Sequence, residues 1–281
     1  MVRKRQMKTT LITGPTSGIG LETARALAKF GMNLILVARD QIKLEAISAE
    51  LKALNPQINV KYYLCDFSNL EQTSKVAELI ANENPKIDIL INNAGTWFNK
   101  MQLNVDGLEY TWVVNYFSMF IFTQKLLPNL KIQASKTKDV RILILGSEGH
   151  RFGEIDFAKF DKFHFQKTYG STKLADMMLS FKLARLLSNT GITVNTIHPG
   201  VIATELWRKL PRPIAWIMSR VLASPREGAE TSIYLATLEE LNTTGKYWAK
   251  SKIKEPAVAA LDESMQDRLY DWTLEKMKRY L

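Results

Sequence analysis

Short apolar runs alternate with amphipathic segments along almost the whole chain. The runs rich in Val, Ile and Leu predict buried strands at residues 9–13, 34–38, 60–64, 87–91, 140–146 and 192–198. Apolar positions at helical spacing predict helices over residues 18–30, 40–54, 69–82, 104–128 and 168–188. Near-continuous apolar strands separated by helices are typical of a parallel sheet covered on both faces. The pattern therefore predicts an α/β fold, a single-domain doubly wound parallel sheet with helices on both faces.

The length of 281 residues suits one such domain, since no internal repeat or Pro/Gly/Ser-rich linker divides the chain. We assign residues 1–8 to a basic N-terminal tail and residues 9–281 to the domain. Residues 201–223 are apolar, interrupted by prolines and only weakly periodic, so we expect a substrate lid there. Ligands of doubly wound sheets bind beyond the carboxyl ends of the strands, so we expect functional residues directly after the strands.

The composition bears on the compartment. The single cysteine, Cys65, excludes an intramolecular disulfide and suits a reducing environment. It lies in an apolar strand pattern, so we interpret it as a core thiol. No apolar run reaches the roughly 18 residues that a membrane-spanning helix needs, and the apolar segment behind the basic start is too short for a signal peptide. We expect a cytoplasmic protein.

The formal net charge is +10, from 38 basic and 28 acidic residues. Four of the basic residues lie in the first eight positions, and the others are scattered without a run of Lys and Arg among aromatics. We interpret this charge as a solvated surface that attracts an anionic cofactor, and we expect no nucleic acid partner. Peripheral contact with a membrane surface stays open.

A glycine-rich segment joins the first predicted strand to the first predicted helix. It reads Thr13-Gly-Pro-Thr-Ser-Gly-Ile-Gly20, with the spacing G-x-x-x-G-x-G. Glycines let a backbone turn sharply and approach a pyrophosphate, and the helix start offers free N–H groups and the positive end of a dipole. The segment therefore predicts a dinucleotide site. Its predicted cofactor contacts are Gly14, Thr16, Ser17, Gly18, Ile19 and Gly20.

The residues after the second strand bear on the choice of cofactor. An acidic residue there accepts a hydrogen bond from the ribose of NAD(H), whereas an arginine receives the 2′-phosphate of NADP(H). Arg39 offers a planar fork suited to phosphate. The neighbouring Asp40 is well placed to cap the next helix. We therefore expect NADP(H), with NAD(H) as the alternative if Asp40 contacts the ribose.

Two further segments with cofactor chemistry also follow strands. Asp66 and Phe67 come after the third strand, where a carboxylate can accept a hydrogen bond from the adenine amino group. Asn93, Ala94 and Gly95 come after the fourth. Their small side chains would let the cofactor lie across the strand ends, while the asparagine holds the neighbouring loop. We count all five among the predicted cofactor contacts.

Tyr169 and Lys173 lie four positions apart, on one face of a predicted helix. Ser147 precedes Tyr169 by 22 residues, at the end of a buried strand. Reducing a carbonyl by hydride needs a proton donor, and a tyrosine with an ordinary pKa of about 10 can serve if a nearby lysine cation lowers that pKa. Lys173 would do this and also bond the nicotinamide ribose. Ser147 would orient the carbonyl, and Asn115 would hold a water connected to the lysine.

These motifs, in this order, resemble those of the short-chain dehydrogenase/reductase family, classical type. The resemblance covers nearly the whole chain, through residues 13–20, 92–95, Asn115, Ser147, 169–173 and 198–200. It implies a Rossmann fold and a catalytic tetrad of Asn115, Ser147, Tyr169 and Lys173. It also implies cofactor contacts at Tyr169, Lys173, Pro199, Gly200, Val201 and Thr204.

More narrowly, the chain resembles the retinol-dehydrogenase-like branch, which is usually NADP(H)-linked. The likeness rests on residues 36–40, 198–206, 224–231 and 245–248, and on an insertion at 148–168. Two positions depart from the family pattern. Pro15 removes one N–H donor from the glycine turn, and Gly146 stands where many members have a first serine. The lipid-anchoring N-terminal helix of several retinol dehydrogenases is not predicted from this sequence.

The expected substrate is a hydrophobic alcohol, ketone or aldehyde. Aromatic and apolar residues in segments expected around the nicotinamide predict a greasy pocket under a lid. They are Trp97, Phe98, Phe152, Leu206, Trp207, Ile214, Trp216, Ile217 and Met218. The predicted function is that of an NADP(H)-dependent oxidoreductase with Tyr169 as its general acid and base.

Other functions have less support in the sequence. A non-catalytic NADP(H)-binding regulator would typically have lost the tyrosine or the lysine, and an epimerase or dehydratase usually needs a longer C-terminal domain. The three histidines form no metal-ligand pattern, so we expect no metal. The predicted helices over 104–128 and 168–188 are apolar enough to form a homodimer interface or simply to lie in the core.

Overall fold

The computed structural model describes residues 7–98, 100–158, 164–200 and 224–281. Within these ranges an eight-stranded sheet has the order β3-β2-β1-β4-β5-β6-β7-β8. Its strands are β1 Thr9–Thr13, β2 Asn33–Ala38, β3 Val60–Leu64, β4 Ile89–Asn92, β5 Val140–Leu145, β6 Ile192–His198, β7 Lys246–Ala249 and β8 Lys252–Lys254. The strands from β3 to β7 pair in parallel, and β8 runs antiparallel to β7. The predicted doubly wound sheet is confirmed.

Helices pack on both faces of this sheet. They are α1 Gly18–Lys29, α2 Gln41–Leu54, α3 Leu70–Glu83, α4 (consecutive segments Tyr110–Trp112, Val113–Phe117 and Ser118–Thr137), α5 Phe165–Leu186, α6 Pro225–Thr237 and α7 Glu263–Met277. Side chains alternate between the two faces along each strand. Leu11 packs in the core formed with α3, α4, α5 and α7, whereas Ile12 packs in the core formed with α1, α2 and α6. Burial on both faces explains the near-continuous apolar strands.

The predictions for six strands and four helices agree with the structure to within three residues at each end, but the helix predicted over 104–128 is wrong at both ends. Asn104 and Gly107, which has a φ of +73°, form a turn before it. Glu109 then caps the helix by accepting a hydrogen bond from the backbone N–H of Trp112 at 2.9 Å. The predicted helix began too early because the apolar spacing continues through this turn and cap.

At its other end, α4 continues to Thr137, although Pro128 lies inside it. A proline in a helix interior costs about 3 kcal/mol because it removes a backbone hydrogen bond. The buried side chains of Leu126, Leu130 and Ala134 lie on either side of it. Burying a leucine contributes roughly 1.5–3 kcal/mol, so packing outweighs the missing hydrogen bond.

The C-terminal helix α7 packs across α4 and α5. The hydroxyls of Tyr116 and Thr273 lie 2.9 Å apart, and Gln124 donates a hydrogen bond to the hydroxyl of Tyr270 at 2.8 Å. Part of the apolar surface of α4 and α5 is therefore covered by a helix of the same chain. The homodimer stays a prediction.

The order of the strands sets the place of the site. The chain winds outward from β1 in one direction and from β4 in the other, so the crevice beyond these two strands is the topological switch point where such sheets bind ligands. The segments after β1, β2, β4 and β5 carry most of the predicted site residues to this edge. In the part of the chain that the structure describes, no helix is both long and apolar enough to cross a membrane.

Candidate active site

The turn after β1 requires glycine at three positions. Gly14 and Gly18 have φ values of +66° and +55°, in the left-handed region that glycine adopts without strain. A Cβ on Gly20 would lie 2.3 Å from the backbone oxygen of Gly14, so α1 approaches the turn too closely for any side chain. Among the described residues, none outside the local backbone lies within 4 Å of the Cβ position of Gly18, so this side of the turn is open.

Thr13 and Asn93 hold the glycine turn against the end of β4. The side-chain amide of Asn93 donates hydrogen bonds to the backbone oxygens of Thr13 and Gly14 at 2.9 and 3.0 Å. The hydroxyl oxygen of Thr13 accepts from the backbone N–H groups of Asn93 and Ala94 at 3.0 and 2.9 Å. The asparagine thus holds the neighbouring loop, as the sequence predicted.

The start of α1 suits the phosphates of a dinucleotide. The first N–H groups of a helix have no partner within it, and the N-cap Ser17 makes no side-chain capping hydrogen bond. Together with the open space at Gly18 and the helix dipole, these N–H groups form a site for an anion. Thr16 and Ile19 are half-buried beside it, and Pro15 is buried.

The two residues after β2 have different surroundings, since one is exposed and the other caps α2. Arg39 is exposed, and in the described ranges no residue forms an ion pair with it. One carboxylate oxygen of Asp40 accepts from the backbone N–H of Lys43 at 3.0 Å, and the other lies 3.5 Å from its Nζ. The backbone hydrogen bond, more than the ion pair, lowers the pKa of Asp40. Asp40 is thus the N-cap, as expected, and Arg39 remains the group suited to a phosphate.

Asp66 and Phe67 offer different groups to a cofactor. One carboxylate oxygen of Asp66 accepts from the backbone N–H of Ser68 at 2.9 Å, which fixes the side chain at the edge of the sheet. Phe67 is 8% exposed and packs edge-on against Phe122, with ring centroids 5.6 Å apart. The phenylalanine side chain belongs to the core, so only its backbone is available to a cofactor.

Ser147 and Tyr169 meet at Gly149. Ser147 caps a short 3₁₀ helix, Glu148–Phe152, and its Oγ accepts from the backbone N–H of Gly149 at 3.1 Å. A Cβ on Gly149 would lie 3.4 Å from this Oγ and 3.1 Å from Cε1 of Tyr169. The hydroxyl and the phenol ring therefore adjoin one point, and the structure brings the two predicted residues together.

Two further glycines press the 3₁₀ helix onto the start of α5. A Cβ on Gly153 would lie 2.3 Å from the backbone oxygen of Gly170, and one on Gly170 would lie 2.8 Å from that of Gly149. This backbone-to-backbone contact sets the position of Ser147 relative to Tyr169. This contact was not predicted from the sequence. The available signal was the G-x-x-x-G spacing after the serine and the glycine directly after the tyrosine.

Lys173 is almost fully buried, at 5% exposure. Its Nζ donates hydrogen bonds to the backbone oxygen of Leu145 at 2.9 Å and to Oδ2 of Asp176 at 2.8 Å. A Cβ on Gly95 would lie 3.7 Å from this Nζ and 3.5 Å from Oδ1 of Asn115. The lysine is thus anchored to the end of β5 and adjoins the asparagine. Asp176 was not predicted, although its i+3 spacing from the lysine could have pointed to it.

Asn115 ties the loop after β4 to α5. It lies in the π-helical segment Val113–Phe117, a kind of irregularity often found at functional sites. Its Oδ1 accepts from the backbone N–H of Thr96 at 2.7 Å, and its Nδ2 donates to the backbone oxygen of Thr96 and to Oγ1 of Thr172, both at 3.0 Å. Thr172 in turn donates to the backbone oxygen of Tyr169 at 2.8 Å. The water predicted beside Asn115 stays a prediction.

Of the residues predicted to line the substrate pocket, three lie in the described ranges. Trp97 packs beside Tyr169, with ring centroids 6.1 Å apart. Phe98 packs edge-on against Tyr110 at 4.8 Å, and Phe152 is 76% exposed. An aromatic side chain therefore borders the predicted catalytic tyrosine.

The segment after β6 is only partly described. Pro199 and Gly200 follow the strand directly, and Gly200 has a φ of +88°. The predicted cofactor contacts Val201 and Thr204 lie outside the described residues. So do the predicted pocket residues Leu206, Trp207, Ile214, Trp216, Ile217 and Met218.

Other residues with reactive side chains lie behind the site or in the core. His150 contacts the backbone oxygen of Ser147 through Nδ1 at 2.6 Å, and its Nε2 accepts from the backbone N–H of Ala257 at 2.9 Å. Cys65 is fully buried, which raises the pKa of its thiol to about 12 and confirms a core thiol. Within the described ranges, no three His, Cys, Asp or Glu side chains are grouped so that they could hold a metal ion.

Comparison with known proteins decides the family. A model of the short chain dehydrogenase family matches residues 8–214. The chain belongs to the short-chain dehydrogenase/reductase family. It is 36% identical to retinol dehydrogenase 13 of Homo sapiens, over 94% of this chain and 82% of that protein. It is 32% identical to retinol dehydrogenase 14 of Mus musculus, over 94% and 84%. The RhlG/NADP active-site complex of Pseudomonas aeruginosa matches with a TM-score of 0.72 and 27% identity, over 86% of this chain and 94% of that chain.

Membership of this family confirms the resemblance, including the retinol-dehydrogenase-like branch. The protein is therefore an oxidoreductase of a family that interconverts alcohols and carbonyl compounds. The structure also explains one departure from the family pattern. A Cβ on Gly146 would lie 2.5 Å from the methyl group of Thr196 on the neighbouring strand β6, so glycine accommodates that methyl.

Proposed function

We propose that this short-chain dehydrogenase uses NADP(H) to interconvert a hydrophobic alcohol and its ketone or aldehyde, with Tyr169 as the general acid and base. The observation that carries the proposal is the convergence of three groups at one edge of the sheet. The Ser147 hydroxyl and the Tyr169 ring adjoin Gly149, and the Lys173 ammonium bonds the end of β5. The open, uncapped start of α1 follows β1 at the same edge.

The chain offers a binding group for each part of the cofactor. The turn over residues 13–20 and the start of α1 would hold the pyrophosphate, Arg39 the 2′-phosphate and Asp66 the adenine amino group. Residues 93–95 and 199–204 would border the nicotinamide end, and Lys173 would bond its ribose. When bound, the nicotinamide supplies the hydride for reduction and accepts it in oxidation. The likeness to a structure solved with NADP supports this cofactor.

Side chains of the protein donate and accept the proton of the reaction. In the reducing direction, the phenol of Tyr169 donates its proton to the carbonyl oxygen, which becomes the alcohol oxygen. The hydroxyl of Ser147 donates a hydrogen bond to the same oxygen and stabilises its developing charge. The ammonium of Lys173 stabilises the phenolate that remains. Proton transfer by a positioned side chain contributes typically about 10²–10⁴-fold to a rate. In the oxidising direction the phenolate takes the proton back.

Several features support a hydrophobic substrate. Trp97 lies beside Tyr169, and the apolar residues 201–223 follow the strand that ends next to the site. We propose that this segment is the substrate lid and that it contributes the apolar pocket wall. The relatives named retinol dehydrogenase favour a lipophilic alcohol or carbonyl compound. The cytoplasmic location stays a prediction.

The test combines cofactor binding with turnover. Purified protein is titrated with NADPH and with NADH by fluorescence, and NADPH consumption is then followed with a panel of lipophilic aldehydes and ketones. We expect tighter binding of NADPH, and turnover that falls by about 10²–10⁴-fold in Tyr169→Phe while binding persists. The matched control is Tyr62→Phe, which alters an exposed tyrosine on the edge strand β3.

Each alternative result points to a different function. Tighter binding of NADH would mean that Arg39 does not bind the 2′-phosphate of NADP(H). Binding of NADPH without turnover of any carbonyl would favour a cofactor-binding regulator. Turnover that is equal in Tyr169→Phe and Tyr62→Phe would remove the tyrosine from the mechanism.

A further inference from the structure

A buried carboxylate lies behind the catalytic lysine. Asp176 follows Lys173 by three positions on α5 and is 1% exposed. Its Oδ2 accepts the hydrogen bond from the lysine Nζ at 2.8 Å. Its Oδ1 is buried and accepts no hydrogen bond from the residues that the structure describes. Among the described residues, Lys173 is therefore the one donor to this carboxylate.

Among the described residues, no other carboxylate forms an ion pair with the lysine. Besides Asp176, Lys173 donates to the neutral backbone oxygen of Leu145. Among the described residues, the other titratable groups that interact with the pair are Tyr169 on the same helix and Tyr116 from the π-helical segment of α4. Burial raises the pKa of Tyr116, so that side chain stays neutral. Asp176 is thus the carboxylate that balances the ammonium in this core.

The balance of burial and charge shows what Asp176 does to the lysine. Burial alone would lower the pKa of Lys173, because it disfavours the charged form. The charge of Asp176, the interaction with Tyr169 and the hydrogen bond to Asp176 together outweigh burial and raise that pKa. Burial raises the pKa of Asp176 itself to about 6, so the carboxylate is ionised at neutral and alkaline pH.

We propose, on the basis of the function proposed above, that Asp176 is a positioning residue of the catalytic centre. Its carboxylate holds the Lys173 ammonium at the end of β5 and keeps it protonated. Asp176 acts only through the lysine, because its carboxylate bonds the ammonium and is sealed from solvent. A purely structural role would alter stability and leave the titration of the lysine unchanged.

Removing the charge of Asp176 should move the alkaline limb of the activity profile in one direction, toward lower pH. In Asp176→Asn the ammonium loses its counter-charge, so the pKa of Lys173 falls. The reducing direction needs that ammonium, so the alkaline limb of the activity profile moves to lower pH. An opposite charge at this distance typically shifts a pKa by about 1–3 units, which sets the expected size. Below about pH 6 wild-type Asp176 takes up a proton, and the two proteins converge.

The first experiment measures the pKa of Lys173 and needs no catalytic turnover. Lysines are labelled with ¹³C at the ε-carbon, and the Lys173 signal is assigned by its absence in Lys173→Arg. We expect its pKa to lie above that of the exposed lysines in the wild type. It should fall by at least about one unit in Asp176→Asn and recover in Asp176→Glu. The control is Asp271→Asn, an exposed aspartate on α7.

An unchanged Lys173 titration in folded Asp176→Asn would overturn the proposal. If that variant does not fold, the wild type decides, because a Lys173 that titrates at or below the exposed lysines has no such partner. The second experiment compares pH profiles of carbonyl reduction, in which an unmoved alkaline limb would also overturn the proposal. If no carbonyl is reduced by any of these proteins, the proposed function fails, and the titration alone decides whether Asp176 governs the lysine.

Discussion

At the proposed pyrophosphate site the backbone forms the surface, whereas at the proposed catalytic site side chains from distant segments converge. The turn after β1 comes from eight consecutive residues, and its shape depends on the φ values of Gly14 and Gly18. The catalytic end joins Asn115, Ser147 and Lys173, which lie on α4, after β5 and on α5. The first region is a local structure, and the second is an assembly of three elements.

This difference affects how each region fails. In the local turn, one added methyl group meets a backbone atom and destroys the binding surface directly. In the assembled region, a change moves one element relative to another, so binding can survive while the reacting groups lose their alignment. Substitutions should therefore separate cofactor affinity from turnover.

The largest effect is expected from Gly20→Ala. Its Cβ would lie 2.3 Å from the backbone oxygen of Gly14, so the turn and α1 must move apart and measurable NADPH binding should disappear. The control is Gly107→Ala, where φ is +73° and, of the described residues beyond its two chain neighbours, none lies within 4 Å of the Cβ position. That variant should lose about 1–2 kcal/mol of stability and keep its affinity. Fluorescence titration of both, with wild-type affinity in Gly20→Ala as the contrary result, tests whether the turn is the binding surface.

The next largest effect is expected from Gly153→Ala at the catalytic end. Its Cβ would lie 2.3 Å from the backbone oxygen of Gly170, which pushes the 3₁₀ helix and Ser147 away from Tyr169. A misplacement of about 1 Å can cost roughly 10²-fold in rate, so kcat should fall by about that factor while NADPH affinity stays near wild type. Steady-state kinetics and titration on one preparation check this. Equal losses in kcat and affinity would mean that the two regions are not independent.

A smaller effect is expected from Thr172→Val. The isosteric valine removes the acceptor of one Asn115 hydrogen bond, and a buried donor left unpaired costs about 1–3 kcal/mol. We expect that loss in the free energy of unfolding, measured in urea. We also expect a kcat about 10-fold lower, because the Thr172 hydroxyl no longer links Asn115 to the backbone oxygen of Tyr169. Thr137→Val, at the exposed end of α4, is the control. A stability loss with unchanged kcat would limit Asn115 to a structural role.

The smallest effect concerns pH and the support behind Ser147. Burial lowers the pKa of His150, and a protonated ring would have to give up the hydrogen bond that Nε2 accepts from Ala257. Because the folded pKa lies below the ordinary value of about 6.5, the folded protein binds fewer protons, and stability falls as the pH drops below that value. His150→Gln should reduce this slope in urea unfolding measured at several pH values. A slope equal to that of the wild type would assign the effect to other groups, such as His198.

The sequence was sufficient where structure is local. The strands and the Asp40 cap follow from residues within a few positions of one another, so periodicity and side-chain chemistry predicted them. The start of α4 was missed because the apolar period hid a turn at Asn104 and a cap at Glu109. The continuation through Pro128 was missed because a propensity rule was applied where packing prevails.

The sequence could not predict which segments the fold brings into contact. Asn115 bonds Thr96 and Thr172, Lys173 bonds Leu145, and α7 packs against α4 and α5. Spacing along the chain carries little information on such pairs, because their partners lie on other elements. Asp176 is the exception, since its distance from Lys173 is fixed by the helix alone.

By itself the sequence determined a doubly wound sheet, a glycine turn at its centre and a tyrosine and lysine on one helical face. These follow from residue size, backbone freedom and periodicity, which act over a few positions. Only the tertiary structure decided that Ser147 meets Tyr169 at Gly149 and that the Lys173–Asp176 pair is buried. Contact and burial between elements arise only when the chain is packed, and they set distances and charge balance that no local pattern contains.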